Sequence, residues 1–294
     1  MTHIRPRVSV GMPVYNGGKS LAKALDNVLA QTLPAFEIII SDNGSSDETA
    51  EICQKYASEN PSIRYFRQAE TTNATRNFRF VAEQAKGDYF MWSAHDDIRD
   101  VEFVERLSAA LEVNPNAVLA FGDVVQYFEG TQVPMPFDFE HGTRNRMGRL
   151  YWAATSPLHH LYGVWRTASL RRIDWTHTEW WHDTPLMMAA ALLGDFIHVP
   201  GVRLHYLYNE HPFFLAGGGV TLTQLLHRTG DIFYLVVCSG KTVGKISGIG
   251  FGLAASTFAL LKVAQQTAVF FGHRMLPRRG TDRRQEYSRR GQIK

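Results

Sequence analysis

The chain has 294 residues, 45% of them hydrophobic and 20% charged, and a formal net charge of +3. This length suits one large α/β domain or one and a half domains, and the ordinary apolar content excludes general disorder and a polytopic membrane protein. The two cysteines, Cys53 and Cys238, supply neither a disulfide framework nor a CxxC metal pattern. We therefore expect a reducing, cytoplasmic setting, and the short polar start does not resemble a signal peptide.

The positive charge is concentrated at one end of the chain. Between positions 273 and 294, eight Arg and Lys residues stand against two acids, so the preceding part is slightly acidic. A patch this localised does not predict a nucleic-acid-binding protein. It suits either an anionic membrane surface or a simply solvated end.

Apolar strands and amphipathic helices alternate over the first hundred residues. In chain order, the sequence predicts strand 7–15, helix 21–29, strand 36–40, a helix from Ser46 or Asp47 to Glu59, strand 63–66, helix 75–85 and strand 87–92. This order predicts a parallel sheet with right-handed crossover connections.

Polar or acidic side chains follow three of these strands: Tyr15 with Asn16, then Asp42, then Asp96 with Asp97. Because the carboxyl ends of parallel strands open on one edge of a sheet, where α/β proteins bind their ligands, we expect these residues to converge. The acidic pair alone has two interpretations: a divalent cation site that holds a polyphosphate, or a cap for a helix that begins near position 100. Convergence of three strand ends favours the first.

The next hundred residues continue the alternation less regularly. The prediction is helix 101–111, strand 117–127 with a kink at Gly122 and Asp123, a strand entering a helix over 161–170, helix 185–193, and strands 196–200 and 202–208. The long connection 128–150 has no clear periodicity, which is typical of functional or mobile loops. His205 and His211 are candidates for a metal or phosphate contact, although a surface role suits them better.

The composition changes near residue 217, to Gly, Ala and Phe with few acids. The uncharged run from Ile246 to Leu261 is about sixteen residues long, which is short for a membrane span. Helices that lie on a membrane surface and helices that pack on the preceding domain fit equally well. We expect a domain at 1–215 and, at 216–294, a helical extension that ends in the basic tail.

The sequence resembles glycosyltransferase family 2 in five segments that together span about two hundred residues. They are VSVGMPVYN (8–16), FEIIISDNGSSDET (36–49), NATRN (73–77), KGDYFMWSAHDD (86–97) and HDTPLMMAAALLG (182–194). The resemblance implies the GT-A fold of nucleotide-diphospho-sugar transferases: an α/β, Rossmann-like architecture with a mostly parallel sheet flanked by helices and a C-terminal helical extension.

The resemblance also implies roles for individual residues. The residues implied to bind the nucleotide, with Asp42 at the base, are Pro13, Tyr15, Asn16, Asp42, Arg76 and Asp96. Asp96, with Asp97 second, is implied to bind a Mg or Mn ion on the diphosphate. Asp183 is implied to be the catalytic base.

Two positions depart from the family pattern. Ala94 stands where the acidic motif commonly has its first aspartate, which removes a carboxylate expected at the ribose or the metal and puts the ligand count in question. His182 replaces the glutamate that usually precedes the base, and so changes the surroundings of Asp183. Neither change touches the residue expected to take the proton.

These parts predict an inverting, metal-dependent glycosyltransferase. It would move a sugar from a nucleotide-diphosphate sugar to a hydroxyl of a polysaccharide, glycolipid or lipid-linked acceptor, in the cytoplasm or peripherally on the inner face of the plasma membrane. Trp180, Trp181 and His182 are candidate acceptor contacts, although the tryptophans suit a buried core equally well.

Two other functions compete with this one. A sugar nucleotidyltransferase would share the nucleotide-binding sheet, but its Gly-rich, basic signature loop is not found after the first strand. A catalytically impaired binding or scaffold protein of the same fold is favoured by Ala94 and opposed by Asp183.

Overall fold

The computed structural model describes residues 5–128, 131–134, 145–155, 158–174, 183–207 and 256–257. The strands are β1 (Val8–Val14), β2 (Glu37–Asp42), β3 (Ile63–Arg67), β4 (Tyr89–Trp92), β5 (Ile98–Arg99), β6 (Ala117–Phe128), β7 (Thr131–Pro134), β8 (Val164–Arg166) and β9 (Asp195–Leu207). The helices are α1 (Gly18–Leu29), α2 (Thr49–Glu59), α3 (Ala74–Glu83), α4 (Phe103–Val113), α5 (Arg146–Thr155), α6 (Thr167–Leu170) and α7 (Asp183–Leu193), with a 3-10 turn at Leu158–Tyr162.

The strands of these described ranges form one sheet in the order β3-β2-β1-β4-β8-β6-β9-β5, with β7 paired to β6. β1 pairs in parallel with β2 and β4, and β2 with β3, which confirms the predicted parallel half. β8 is antiparallel to both β4 and β6, whereas β9 is parallel to β6. β6 and β9 therefore point in the same direction as β1, β2 and β4.

Buried side chains cover both faces of this sheet. Ile38 and Ile40 of β2 join one apolar cluster, which includes buried residues of α1 and α4. Ile39, between them, joins the cluster on the other face, which α3, α5 and α7 cover. This alternation is expected of a strand buried on both faces, so the sheet is the middle one of three layers.

Strand β9 corrects one expectation from the sequence. Two strands are predicted on either side of Gly201, but both halves pair with β6 and form one strand. The register shifts between Phe121 and Asp123, where β9 contains Gly201 with a φ of 76°. Glycine adopts this left-handed conformation without the steric cost of a side chain, so the chain absorbs the irregularity and continues pairing. The kink predicted in β6 is confirmed at the same place.

The helix after the acidic pair begins later than predicted. α4 starts at Phe103 because Ile98 and Arg99 first pair with β9 as the short strand β5. The N-cap of α4 is Glu102, which makes no side-chain cap hydrogen bond. The interpretation of Asp96 or Asp97 as a helix cap is therefore wrong.

Candidate active site

The carboxyl ends of β1, β2, β4, β6 and β9 open on one edge of the sheet, which we call the carboxyl edge. The loops after β1, β2 and β4 carry most of the residues that the sequence analysis assigns to a nucleotide and a metal. Their order along the edge follows from the pairing, since β1 lies between β2 and β4. The predicted convergence of the three strand ends is therefore confirmed.

The loops after β1 and β2 are joined through Asn16. Its backbone N–H donates to the Ser45 hydroxyl, and its side-chain oxygen accepts from the N–H of Ser46, both at 2.9 Å. Asn16 holds a positive φ of 51°, a conformation that asparagine tolerates better than most residues. Beside it, Pro13 is buried within β1 and Tyr15 is 50% exposed at the surface. An exposed aromatic ring on a fixed loop is available to a planar ligand.

Asp42 is fully buried at the end of β2. Its Oδ1 accepts from the N–H of Ser45 at 2.8 Å, and its Oδ2 accepts from the Tyr65 hydroxyl at 3.1 Å. The Arg67 guanidinium lies 3.4 Å from the same Oδ2. Burial, followed by the Asp42 charge, raises the pKa of Tyr65 to about 12, so this phenol remains a donor. The protein thus holds the Asp42 carboxylate in place from three sides, and its contact with a nucleotide base remains a prediction.

Arg76 lies exposed in the first turn of α3. Asn73 caps this helix by accepting from the Arg76 N–H at 2.9 Å. The segment before the cap is tied to the loop after β2, because Asn43 donates to the Thr72 carbonyl at 2.7 Å and accepts from the Thr72 N–H at 2.8 Å. The fold therefore fixes the start of α3 relative to the carboxyl edge, as a nucleotide contact through Arg76 requires.

The two acids after β4 have different surroundings. The Asp96 side chain is 24% exposed, with its Oδ1 3.8 Å from the His95 ring. The Asp97 side chain is 1% exposed, and neither of its oxygens accepts a hydrogen bond from the described residues. Burial, and to a smaller extent the Asp96 charge, raises the pKa of Asp97 to about 7, although the nearby Arg99 opposes the shift. Asp96 is thus the accessible carboxylate of the pair.

Arg99 is a buried cation behind this acidic loop, and the sequence analysis missed it. Its guanidinium donates to the Ser93 hydroxyl and to the Trp92 carbonyl, both at 2.9 Å, and lies 4.0 Å from Asp97. Asn27 of α1 accepts from the Arg99 N–H at 2.9 Å and donates to its carbonyl at 2.8 Å. The only hint in the sequence is a basic residue two positions after an acidic pair.

Asp183 is the first residue of α7 and is partly buried. The Tyr162 phenol is affected by the charge of Asp183 and by the charges of the acidic loop, the loop between β4 and β5 that carries Asp96 and Asp97. Burial raises the pKa of Tyr162 well above its usual value, and the charges of Asp97, Asp183 and Asp96 raise it further, with Tyr206 contributing between them. The charges of Asp96 and Asp97 in the loop after β4, and of Asp183 in α7, therefore all act on one phenol.

His159 borders the same region and was also missed. Its ring lies edge-on to Tyr206, with ring centroids 4.4 Å apart, and its Nδ1 is buried without a hydrogen-bond partner among the described residues. Burial lowers the pKa of His159 to about 4, while the charge of Asp183 acts in the opposite direction. The ring is therefore neutral at neutral pH and does not neutralise Asp183.

Two other histidines at this side of the sheet are paired with aspartates. His205 contacts Asp100 through Nε2 at 2.8 Å and the Tyr127 hydroxyl through Nδ1 at 2.9 Å. His198 contacts Asp123 at 2.7 Å. Both ring nitrogens of His205 are engaged within the protein, which favours a structural role over the metal or phosphate contact considered from the sequence.

Several predictions lie outside the described residues. These are the acceptor contacts Trp180, Trp181 and His182, as well as His211, Cys238, most of the 128–150 connection and nearly all of the 216–294 extension. In the ranges that the structure does describe, no three His, Cys, Asp or Glu side chains are grouped so that they could hold a metal ion. No helix in those ranges is long and apolar enough to cross a membrane.

A sequence-family profile described as Glycosyl transferase family 2 matches residues 9–172, which is more than half of the chain. The chain belongs to glycosyltransferase family 2. The resemblance to the family is thereby confirmed. The first four sequence segments lie within the matched range, except for residue 8, whereas the fifth (182–194) lies outside it. The matched range contains every predicted nucleotide and metal residue and ends before Asp183.

Proteins named as glycosyltransferases match part of this chain. A protein named "Uncharacterized glycosyltransferase" from Rickettsia felis is 38% identical over 95 residues, which are 32% of this chain and 15% of the relative. Glycosyltransferase GlyG from Streptococcus pneumoniae is 30% identical over 122 residues, 42% of this chain and 40% of that protein. The chain thus aligns with less than half the length of these curated relatives.

Solved structures of low sequence identity share the fold. S. aureus TarS 1-349 in complex with UDP matches with a TM-score of 0.58 at 14% identity, covering 90% of this chain and 92% of that one. Mannosyltransferase PcManGT from Pyrobaculum calidifontis, in complex with GDP-Man and Mn2+, matches with a TM-score of 0.58 at 16% identity, covering 98% of this chain and 80% of that one. This family 2 chain therefore has the predicted GT-A fold.

Proposed function

We propose that the protein transfers a sugar, with inversion, from a nucleotide-diphosphate sugar to a hydroxyl of a polysaccharide, glycolipid or lipid-linked acceptor. Membership of family 2 supports glycosyl transfer. The observation that carries the proposal for this chain is the convergence of Asn16, Asp42 and Asp96, which lie at or after the ends of β1, β2 and β4, on one edge of the sheet. The charges of Asp96, Asp97 and Asp183 all raise the pKa of the buried Tyr162 phenol, which supports a candidate base at the start of α7.

The donor nucleotide is proposed to bind along the ends of β1 and β2. Tyr15 offers an exposed ring and Asn16 an anchored loop, and the nucleoside would lie between them and Asp42. Pro13 stiffens the strand end behind them, and Arg76 supplies a cation for the pyrophosphate. The structural neighbours named above were solved with UDP and GDP-Man, so UDP-sugars and GDP-sugars are the first donors to test.

A Mg or Mn ion fits the chemistry of the acidic loop. Carboxylate oxygens are the donors that both ions prefer, and Asp96 presents one at a partly exposed position. Since the described residues contain no three-residue cluster, the diphosphate and water would complete the coordination, as is usual for Mg. When bound, the ion would stabilise the charge of the departing diphosphate.

Asp183 is proposed to take the proton from the acceptor hydroxyl. A hydroxyl is a poor nucleophile at neutral pH, and a positioned carboxylate that accepts its proton lowers the barrier to attack. The neutral ring of His159 does not neutralise this carboxylate. Attack from the face opposite the leaving group inverts the anomeric carbon and needs no second carboxylate as nucleophile.

The acceptor is proposed to approach from the side of α7. Trp180, Trp181 and His182 directly precede Asp183 in the chain, and tryptophan faces commonly stack on sugar rings or apolar chains. The extension at 216–294, with its basic tail, would bring the enzyme to an anionic membrane surface that carries lipid-linked acceptors.

Nucleotide binding by calorimetry tests the donor site. We expect wild-type protein to bind UDP, GDP or dTDP more tightly with Mn2+ than without it, and Asp96→Ala to weaken the Mn2+-dependent binding by at least about tenfold. Asp88→Ala is the matched control, because Asp88 lies just before β4 at its other end and forms an exposed ion pair with Arg7. Equal affinities for wild type and Asp96→Ala would remove Asp96 from the site.

A further inference from the structure

Asp97 and Arg99 form a buried charge pair behind the accessible Asp96. Both side chains are 1% exposed, and Oδ2 of Asp97 lies 4.0 Å from Nη2 of Arg99. Burying either charge alone would be costly, because neither carboxylate oxygen of Asp97 accepts a hydrogen bond from the described residues. When Asp97 is ionised, each residue therefore supplies the counter-charge that the other lacks.

The pair also closes the loop between β4 and β5. Arg99 lies in β5, after the loop, yet its guanidinium donates to Trp92 and Ser93, which come before it. Its backbone is held from the other side by the two hydrogen bonds with Asn27 of α1. The backbone on either side of Asp96 is thus fixed by a single arginine and its partners.

A divalent cation on Asp97 would meet two obstacles. The oxygens of Asp97 have almost no accessible surface, so an ion from solvent has no approach to them. An ion at a ligand distance of roughly 2.0–2.6 Å from Asp97 would also lie within roughly 7 Å of the Arg99 guanidinium, in a region where like charges are poorly screened. Asp96, which precedes Asp97 and is 24% exposed, does not meet the first of these obstacles.

We propose that Asp97 is a positioning residue that neutralises Arg99, and that the Asp97–Arg99 pair and Asn27 hold Asp96 as the single carboxylate of this loop that binds the cation. The division of roles, in which Asp96 binds the cation and Asp97 does not, rests on the proposed metal-dependent function. The pairing of Asp97 with Arg99 does not depend on that function. The division of roles replaces the expectation that Asp97 is a second ligand. It also explains how the loop works with Ala94 in place of the usual first aspartate, since one ligand carboxylate suffices when its position is fixed.

A double-mutant cycle tests the pairing in metal-free protein. We expect Asp97→Asn and Arg99→Met each to lower the thermal unfolding midpoint by about 5 °C or more, because each leaves one buried charge uncompensated. The double variant Asp97→Asn/Arg99→Met should recover at least about half of the loss. A midpoint that stays or rises in Asp97→Asn, or a double variant that loses the sum of both, would overturn the pairing.

A Mn2+ titration tests whether Asp96 alone, and not Asp97, binds the cation. It is carried out with the tightest-binding nucleoside diphosphate present, and free Mn2+ is measured by its electron paramagnetic resonance signal. Asp96→Asn should weaken Mn2+ binding by at least about tenfold. Arg99→Met and the double variant should bind Mn2+ within about threefold of each other, because Asp97 acts on Asp96 only through Arg99. Asp96→Asn makes the same chemical change one residue away, so it is the matched comparison. A double variant at least about tenfold weaker than Arg99→Met would show that Asp97 is a ligand. Wild-type protein that binds no Mn2+ would contradict the proposed function and the division of roles, while the unfolding cycle would still decide the pairing.

Discussion

The aspartates at the carboxyl edge differ mainly in which groups offset the cost of burying their negative charge. Asp42 has a backbone donor, a phenol and a guanidinium around its carboxylate. Among the residues that the structure describes, the Arg99 charge at 4.0 Å is the sole compensation for Asp97. Asp96 remains partly in solvent. The three aspartates look alike in the sequence and are distinguished by their surroundings in the fold.

His159 gives a prediction for the pH dependence of stability. Its pKa in the folded protein is about 4, against 6.5 for the free side chain, so the unfolded chain binds its proton first as the pH falls. The stability that comes from the neutral ring is fully present above about pH 6.5. It is lost as the pH falls from about 6.5 to about 4. We expect His159→Phe, which keeps an aromatic ring against Tyr206, to lose less of its unfolding midpoint between these pH values than wild type.

The measurement is a series of thermal unfolding midpoints from about pH 8 to about pH 4 for both proteins. The difference between them near pH 8 serves as the internal control, since both carry a neutral side chain at this position there. Parallel curves for wild type and His159→Phe over the whole range would contradict the account.

The sequence predicts the acids of the site and misses their neighbours for a physical reason. Asp96 and Asp183 stand out because they end an apolar strand or begin an apolar helix. Arg99 and His159 act through residues that approach them only in the fold, such as Asn27 and Tyr206. A single basic or imidazole side chain looks the same in sequence whether it is solvated or buried, so such roles could not be predicted.

Helix α1 shows how an element prepares the site. Ser20 contacts the His95 ring at 3.3 Å, Asn27 binds the Arg99 backbone, and Gln31 donates to the Asp100 carbonyl at 3.1 Å. Ser20 and Asn27 lie seven residues apart on one face of α1, whereas Gln31 follows the end of the helix at Leu29. The apolar face of α1, predicted from the sequence, is confirmed as buried, but the polar face resembled an ordinary solvated one and gave no indication of these contacts.

Replacing a glycine with alanine is expected to affect stability differently at two positions, Gly163 and Gly18. A Cβ at Gly163, next to β8, would lie 2.2 Å from the Ala120 carbonyl oxygen of β6, a backbone atom that cannot move without disturbing the sheet. We expect Gly163→Ala to destabilise the protein by about 1–3 kcal/mol or more, because β8 must move away from β6. Thermal unfolding would show a loss of roughly 2–4 °C for each kcal/mol in a chain of this size.

Gly18→Ala is the control for that substitution. A Cβ at Gly18 would meet only the side chain of Glu48, at 2.5 Å, which can rotate away. Alanine is also a better helix former than glycine, and Gly18 is the first residue of α1. We expect a midpoint equal to wild type or up to a few degrees higher. Equal losses in the two variants would mean that close approach of β8 and β6 is not what Gly163 provides.

At the scale of the whole molecule, the order of strands along the chain predicts the parallel half and its edge, but not how the sheet continues. β8 lies between β4 and β6 although it comes later in the chain than both, and it reverses direction. Such pairing between distant segments depends on which surfaces remain uncovered once the first strands have assembled. That insertion directs β6 and β9 toward the carboxyl edge, beside β1, β2 and β4.

The most direct test of the central claim is release of nucleoside diphosphate from a panel of UDP-, GDP- and dTDP-sugars in the presence of Mn2+, with water or an added sugar acceptor as nucleophile. We predict that wild-type protein cleaves one of these donors. Asp183→Asn should bind the nucleoside diphosphate as tightly as wild type. It should cleave the corresponding nucleotide sugar at least about a hundredfold more slowly, because it lacks the base. Full activity of Asp183→Asn, or no cleavage of any donor by the wild-type protein, would contradict the account.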